Sequence, residues 1–391
     1  MSNIYVVRAK RTPFGSFGGA LSQLTAAELA SQVIRNILDD LTLPVELIDE
    51  VIIGQVLQGG AAQAPARQAM RMAGLPDSTA AMTINKVCGS GLKSMMLAAD
   101  GIALGNIQIA LAGGMESMSQ APYALPEARF GHRLGNSELV DLIIFDGLRD
   151  PYSGRHMGEI TDEWIQSHDL TREQQDVFAK RSYERSLAAI NNGTFSDELV
   201  PVVIKSRNKQ TTVTSDEEPF RGAVDKLPEL RPAFSKTGTI TAGNASTIND
   251  GAGISLLASE KAIKDHNLKP IARLVASATN SIHPDRFAEA PVDAIGKCCR
   301  KAGLKLSDIG LFEINEAFSA VPLVAINMLD LDPEKVNVNG GAVSIGHPIG
   351  ASGARLVATL LREMQIRGEK YGLATLCIGG GEAVAAIFEL V

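Results

Sequence analysis

One long-range recurrence constrains this chain more than any other feature. Cys88-Gly89-Ser90-Gly91 opens a helix-forming run, Leu92 to Ala99, and an apolar strand pattern, Ile107 to Ala112, then leads into Gly113-Gly114. Near the other end, Gly350-Ala351-Ser352-Gly353 opens a helix predicted to reach about Met364. A strand from Gly372 to Leu376 follows, and then Cys377-Ile378-Gly379-Gly380-Gly381. A solenoid would repeat many times at short period, so a single recurrence is a duplication at domain scale. It predicts two similar α/β halves about a pseudo-twofold axis, with the two helix starts meeting at the interface. Cys88 and His347 would then be neighbours despite their separation in sequence.

The remaining pattern fills in the halves. Ile4 to Val7 reads as a first strand rather than a signal peptide. Thr25 with Glu28 forms a capping-box signature for a helix to Asp39. Val51–Val56 reads as a buried strand, and Pro65–Met72 as a helix closed by Gly74. Strands alternating with helices predict a largely parallel sheet covered on both faces. From about residue 120 to 248 the chain is more charged, with helices at Gly158–Trp164 and Arg172–Ile190. Cationic stretches there include 128–133, 206–210 and 220–222. That segment reads either as a solvated insertion or as a cap over an anionic ligand. The expected division is 1–119 with about 249–271, an insertion at 120–248, and 272–391.

Composition excludes several classes. A net charge of −7 and a pI of about 5.5 argue against a general nucleic-acid or anionic-membrane binder. No apolar run reaches membrane-spanning length. Four cysteines in 391 residues, with no CxxC pair, fit neither a disulfide framework nor zinc, and point to a reducing compartment such as the cytoplasm. No GxGxxG follows the first strand, which excludes a Rossmann dehydrogenase.

What remains is thiol chemistry. Cys88 between a strand and a helix start would feel the positive helix end, which favours thiolate, and Gly89 and Gly91 admit a ligand. Taken alone, it is as readily a small core residue. His347 in Gly346-His347-Pro348 and Cys377 beside Gly379 add a candidate base and a candidate acid. Locally, Asn315 equally suits an N-cap for a helix beginning at Glu316, and Glu316 is a rival base or a dipole-favoured acid.

Four stretches carry a family resemblance: Asn85 to Gly91, Glu313-Ile314-Asn315-Glu316-Ala317-Phe318, Asn339 to Arg355, and Cys377 to Gly381. In this order, over essentially the full length, the chain resembles the thiolase family, and within it the biosynthetic acetyl-CoA C-acetyltransferases. The resemblance implies a duplicated α/β fold of five layers, α-β-α-β-α, with an inserted loop domain. It implies a ping-pong condensation of two acetyl-CoA to acetoacetyl-CoA and CoA, reversible by thiolysis. Cys88 would be the nucleophile, His347 its base and Cys377 the carbon acid/base. Asn315 would position a water, and the backbone N–H groups of Cys88 and Gly379 would hold an oxyanion. His156, Met157, Arg221, Ser246, Ala317 and Phe318 would contact CoA; unaided, His156 and Met157 read as helix-edge residues and Arg221 and Ser246 as surface. No metal or further cofactor is implied, CoA being substrate and product. The stretch Met118–Asp141 resembles the loop that pairs dimers into a homotetramer. Rivals are a degradative 3-ketoacyl-CoA thiolase, a ketoacyl synthase, which normally lacks the Cys-Gly-Gly-Gly ending, and a non-catalytic CoA- or lipid-binding relative. Arg155, Thr247 and the polar stretch Thr279–Ala290 depart from the family pattern.

Overall fold

The structure is a computed structural model that describes residues 3–206, 209–222 and 224–391; Arg207 and Asn208 of the predicted cationic stretch lie outside them. The first half contributes strands β1 (Ile4–Arg11), β2 (Glu50–Gly54), β3 (Ala80–Ile84), β4 (Ile109–Ser117) and β5 (Asn249–Ser259). The second contributes β6 (Ala272–Ser281), β7 (Leu311–Ile314), β8 (Tyr371–Ile378) and β9 (Glu382–Leu390). Their orders match: β1-β5-β4-β2-β3 and β6-β9-β8-β7. Val336 bridges Phe312 in parallel where the first half has β3. A two-residue pairing, Tyr5 with Arg273 and Val6 with Ala272, joins the halves along one edge.

The sheets are mixed, which corrects the largely parallel expectation. In each half two antiparallel pairings precede the parallel ones. The reason lies in connection length. Only Gly379–Gly381 separates β8 from β9, and so short a link permits only antiparallel neighbours. In the first half β5 takes the same place, although the long insertion separates it from β4.

Side-chain alternation builds the layers. Ala110 and Leu257 of the first sheet and Leu376 and Val384 of the second enclose α3 (Ser90–Ala103) and α8 (Ser352–Arg367), which contribute Leu92, Met95, Leu356 and Leu360. On the outer face of the first sheet, Val51 and Leu111 pack on α1 (Ala26–Leu41) and α2 (Pro65–Ala73). On the outer face of the second, Leu373 and Ile387 pack on α6 (Ala290–Ala302) and α7 (Ala320–Leu329). The result is α-β-α-β-α. The Thr25–Glu28 capping box forms, with Thr25 N–H donating to Glu28 at 2.8 Å. Gly74 closes α2 at φ +96°. Helices α4 (Met157–Gln166) and α5 (Arg172–Asn191) occupy the insertion as the sequence predicts. No helix among the described residues is long and apolar enough to cross a membrane.

The central layer is set by backbone contact. α8 and β8 begin 262 residues after α3 and β4 (352 against 90, 371 against 109). A Cβ on Gly91 would lie 2.8 Å from Ala354 N, and one on Gly353 would lie 2.4 Å from Leu92 N. Gly113 and Gly114 do not follow a strand, as the sequence suggests; they sit inside β4. Added carbons there would meet Gly253 O at 2.0 Å and Gly350 O at 1.9 Å, so these glycines serve close approach and not a turn.

Gly114→Ala is therefore expected to destabilise the protein by about 3 kcal/mol, because overpacking against immobile backbone has no side chain to displace. Gly296→Ala, inside α6 and facing only the Arg300 side-chain end at 3.3 Å, should be neutral or stabilising. The helix preference for Ala over Gly is worth up to ~1 kcal/mol there. Urea unfolding midpoints of the two variants check both signs.

Candidate active site

Cys88 sits on a strained turn. Val87, a β-branched residue, has φ +46°, a conformation costing of order 1–3 kcal/mol. Asn85 Oδ1 accepts the Val87 N–H at 2.9 Å, and Ser90 Oγ accepts Lys86 N–H at 2.8 Å while donating to Val87 O at 2.7 Å. Gly89 permits the turn to press on the Ile378 side chain, where a Cβ would fall at 2.4 Å. Cys88 is half-buried. Burial pushes its thiol up to about 11, against the pull of the Gly379 and Cys88 N–H groups, and Glu116 adds to the rise. Burial thus works against the helix start, which by itself favours thiolate, and tips the balance toward the thiol.

His347 is buried and its ring is held in place. Its Nδ1 lies 2.5 Å from Ser352 Oγ, whose own proton goes to Pro348 O at 2.9 Å. With that proton committed, Nδ1 must carry the imidazole N–H, leaving Nε2 unprotonated with its lone pair as an acceptor. Asn315 Nδ2 lies 3.4 Å from Nε2. Burial, and then the Arg355 charge, push His347 down to about 3, so it is neutral at physiological pH. Asn249 Oδ1 accepts the His347 N–H at 2.9 Å and fixes the loop. Thr247, a departure from the family pattern, donates to the same oxygen at 2.8 Å.

Cys377 is the penultimate residue of β8, wholly buried, its thiol pushed well up by burial and by proximity to Cys88. Asn315 does not cap a helix at Glu316, because α7 begins only at Ala320. Its Oδ1 is a buried acceptor without a protein partner among the described residues. Glu316 is spoken for: it accepts from Ser182 Oγ at 2.7 Å, Asn337 Nδ2 at 2.8 Å and Val343 N–H at 3.1 Å, which holds the stretch leading to His347.

Cys88, His347, Cys377 and Gly379 line one cavity of about 300 Å³. His156, Met157, Ser246, Ala317 and Phe318 line it too. The His156 ring stacks on Phe234 at 4.7 Å, and Ser246 Oγ donates to Ala317 O at 2.9 Å. Arg221 lies apart from the thiols, exposed on the wall of an adjoining cavity. The two cavities share Ala242, Ser246, Thr247 and Ile248, making one channel from Arg221 to Cys88. Arg155 turns away from it to Glu163 and to Asp285 at 3.3 Å.

Several site residues escaped the sequence reading. Phe234 and Phe287 line the cavity from segments that look polar in sequence. Asn249 and Ser352 act through His347. Ser352 was visible as the hydroxyl at the helix start five residues on, and Asn249 as a polar residue opening an apolar strand.

Comparison with known proteins agrees with this geometry. Residues 4–261 match the family model for the thiolase N-terminal domain and residues 268–390 that for the thiolase C-terminal domain. The chain is 49% identical over 389 residues to an acetyl-CoA acetyltransferase of Allochromatium vinosum, covering 99% of each. It is 46% identical to a probable acetyl-CoA acyltransferase of Staphylococcus aureus, again covering 99% of each. The crystal structure of the Bacillus anthracis acetyl-CoA acetyltransferase superposes with a TM-score of 0.97 at 41% identity, covering 100% of this chain and 99% of that one. Human mitochondrial 3-ketoacyl-CoA thiolase gives 0.96 at 40% identity, with the same coverage. Both domain models and full-length relatives place the chain in the thiolase family.

Proposed function

We propose that the protein is an acetyl-CoA C-acetyltransferase, condensing two acetyl-CoA to acetoacetyl-CoA and CoA and catalysing the reverse thiolysis. The observation that carries this reading is the meeting, in one largely apolar cavity, of a thiol under two backbone donors, an imidazole with a free Nε2, and a second thiol. The acyl-CoA lies along the channel with its nucleotide end toward Arg221. As Cys88 Sγ attacks the thioester carbon, its proton passes to His347 Nε2. The departing CoA sulfur takes a proton from Cys377, leaving a thiolate there and the acetyl group on Cys88. Cys377 then removes the α-proton of a second acetyl-CoA. The enolate oxygen is held by the Nε2 proton of His347 and by a water on Asn315. The carbanion attacks the acetyl-Cys88 carbonyl, and the Cys88 and Gly379 N–H groups donate to the oxyanion that forms. Collapse frees Cys88, which recovers its proton from His347, so each group ends as it began.

Degradative thiolysis of longer 3-ketoacyl-CoA is the second reading, favoured by the apolar walls at Ile144, Leu148 and Phe287. The kcat/KM for thiolysis across chain lengths separates the two: a steep fall beyond acetoacetyl-CoA supports the first, a rise supports the second.

The exposed apolar side chains of Tyr123, Phe130, Leu134 and Leu139, and the free edge of β3, support assembly as a homotetramer built from two dimers. A concentration-independent dimer mass in light scattering overturns that. Two thiols that must stay reduced suit a cytoplasmic site of action.

Cys88→Ser is expected to abolish turnover, and acetyl-CoA should label Cys88; acetyl recovered only on the Cys377 peptide reverses the two cysteine roles. Cys377→Ala should still form acetyl-enzyme, the CoA sulfur then leaving as a thiolate that takes its proton from water, but lose α-proton exchange with deuterated water and condensation by about 10²–10⁴-fold or more. Near-normal condensation assigns that proton transfer elsewhere.

A further inference from the structure

Glu116 lies wholly buried on β4, is absent from the chemistry above, and forms no salt bridge among the described residues. Its carboxylate accepts three backbone N–H groups: Val56 at 3.0 Å, Leu57 at 3.1 Å and Gly350 at 2.9 Å. The first two come from the first half, just past β2. Val56 and Leu57 belong to the apolar cluster against which Val87 and Cys88 pack. The third comes from the second half, three residues beyond His347. Gly350 is closed over the carboxylate so tightly that a Cβ would lie 2.8 Å from Glu116 Oε2.

We propose that Glu116 is a positioning residue for acyl transfer, an ionised clasp that fixes the wall behind Cys88 to the loop carrying His347. The geometry suits a carboxylate. Oε2 accepts two N–H groups and Oε1 the third. A carboxylic acid still accepts at both oxygens but more weakly, and an amide has no acceptor on its NH₂ side and loses at least one of these bonds.

The clasp is proton-sensitive. Burial, and then the nearby Asp250, push Glu116 up to about 7, against the pull of the three N–H groups. The titratable groups facing it are Asp250 at the start of β5, itself held by Ser119 at 2.6 Å and 2.9 Å, and Cys88 from the nucleophile turn. Because the folded value lies above that of a free carboxyl, the group's contribution to stability is full at low pH and is lost as pH rises through about 7. The ionised clasp is thus kept at a cost in stability, as expected of a group retained for the reaction. Its grip tightens as pH rises through about 7 and weakens as pH falls below it. His347, pushed down to about 3, stays neutral throughout that range and cannot produce the same loss.

This inference rests on the acetyl-transfer reading for its kinetic test. Thiolysis of acetoacetyl-CoA is measured from about pH 5.5 to 9 in wild type and E116Q, with melting curves to verify folding. Wild-type kcat is expected to fall with pH below about 7. E116Q should lose about 10–100-fold in kcat, the effect of a small misplacement of reacting groups, with KM little changed and no acidic limb. A flat wild-type kcat across this range overturns the proposal without any variant. So does E116Q with wild-type kcat and an unchanged acidic limb. If wild type does not cleave acetoacetyl-CoA, the acetyl-transfer reading fails, and alkylation then decides the clasp separately. The rate at which iodoacetamide modifies Cys88 should change slope near pH 7 in wild type and lack that break in E116Q. Identical profiles overturn the proposal.

Discussion

The site depends on two helices that begin backbone against backbone. At Gly91 and Gly353 there is no side chain to separate α3 from α8, so the turn before one and the loop before the other are forced together. Cys88 belongs to the first of these segments and His347 to the second. Hydrophobic burial supplies the driving force for the layers, but it is non-directional. Contact between main-chain atoms fixes the distance, because it has no rotamers with which to relax.

Burial sets the chemistry as firmly as it sets the fold. The same desolvation that raises the Cys88 thiol to about 11 lowers His347 to about 3, so both reacting groups rest uncharged. An isolated thiolate in this apolar cavity would be costly, and charge develops only when a substrate oxygen is present to share it. On the proposed mechanism the N–H groups of Cys88 and Gly379 and the Asn315 amide would meet that charge already oriented, with little reorganisation.

Much of this was legible in the sequence. The duplication was readable because helix and strand periods, with their punctuating glycines, recur in one order, and the Thr25–Glu28 and Pro65–Gly74 boundaries were fixed by local chemistry. Sheet direction was less legible. Strand–helix alternation says nothing of the strand that returns without a helix, as β9 does after Gly379–Gly381. Gly113 and Gly114 were misjudged because a glycine needed for close approach and a glycine needed for a turn look alike until the opposing backbone is known. The thiols and the imidazole were found from their motifs. Glu116, Asn249 and Phe287 were not, because their importance lies in what folds against them. The Cys88 protonation state was hidden for the same reason: a helix start is visible in sequence, whereas the depth of a cavity is not.

The pseudo-symmetry also explains where the chain can accept new material. The tight glycine link between β8 and β9 carries Gly379, the proposed oxyanion donor, and leaves no room for growth. Its counterpart between β4 and β5 carries no such duty, and the whole insertion enters there. Ser117 and Asp250 pair directly across the sheet, so the excursion leaves and returns at one point. The exposed loops of such a closed excursion can lengthen, shorten or reshape while the paired strands beneath keep their register, as long as Ser182 of α5 keeps its bond to Glu316 and with it the stretch leading to His347.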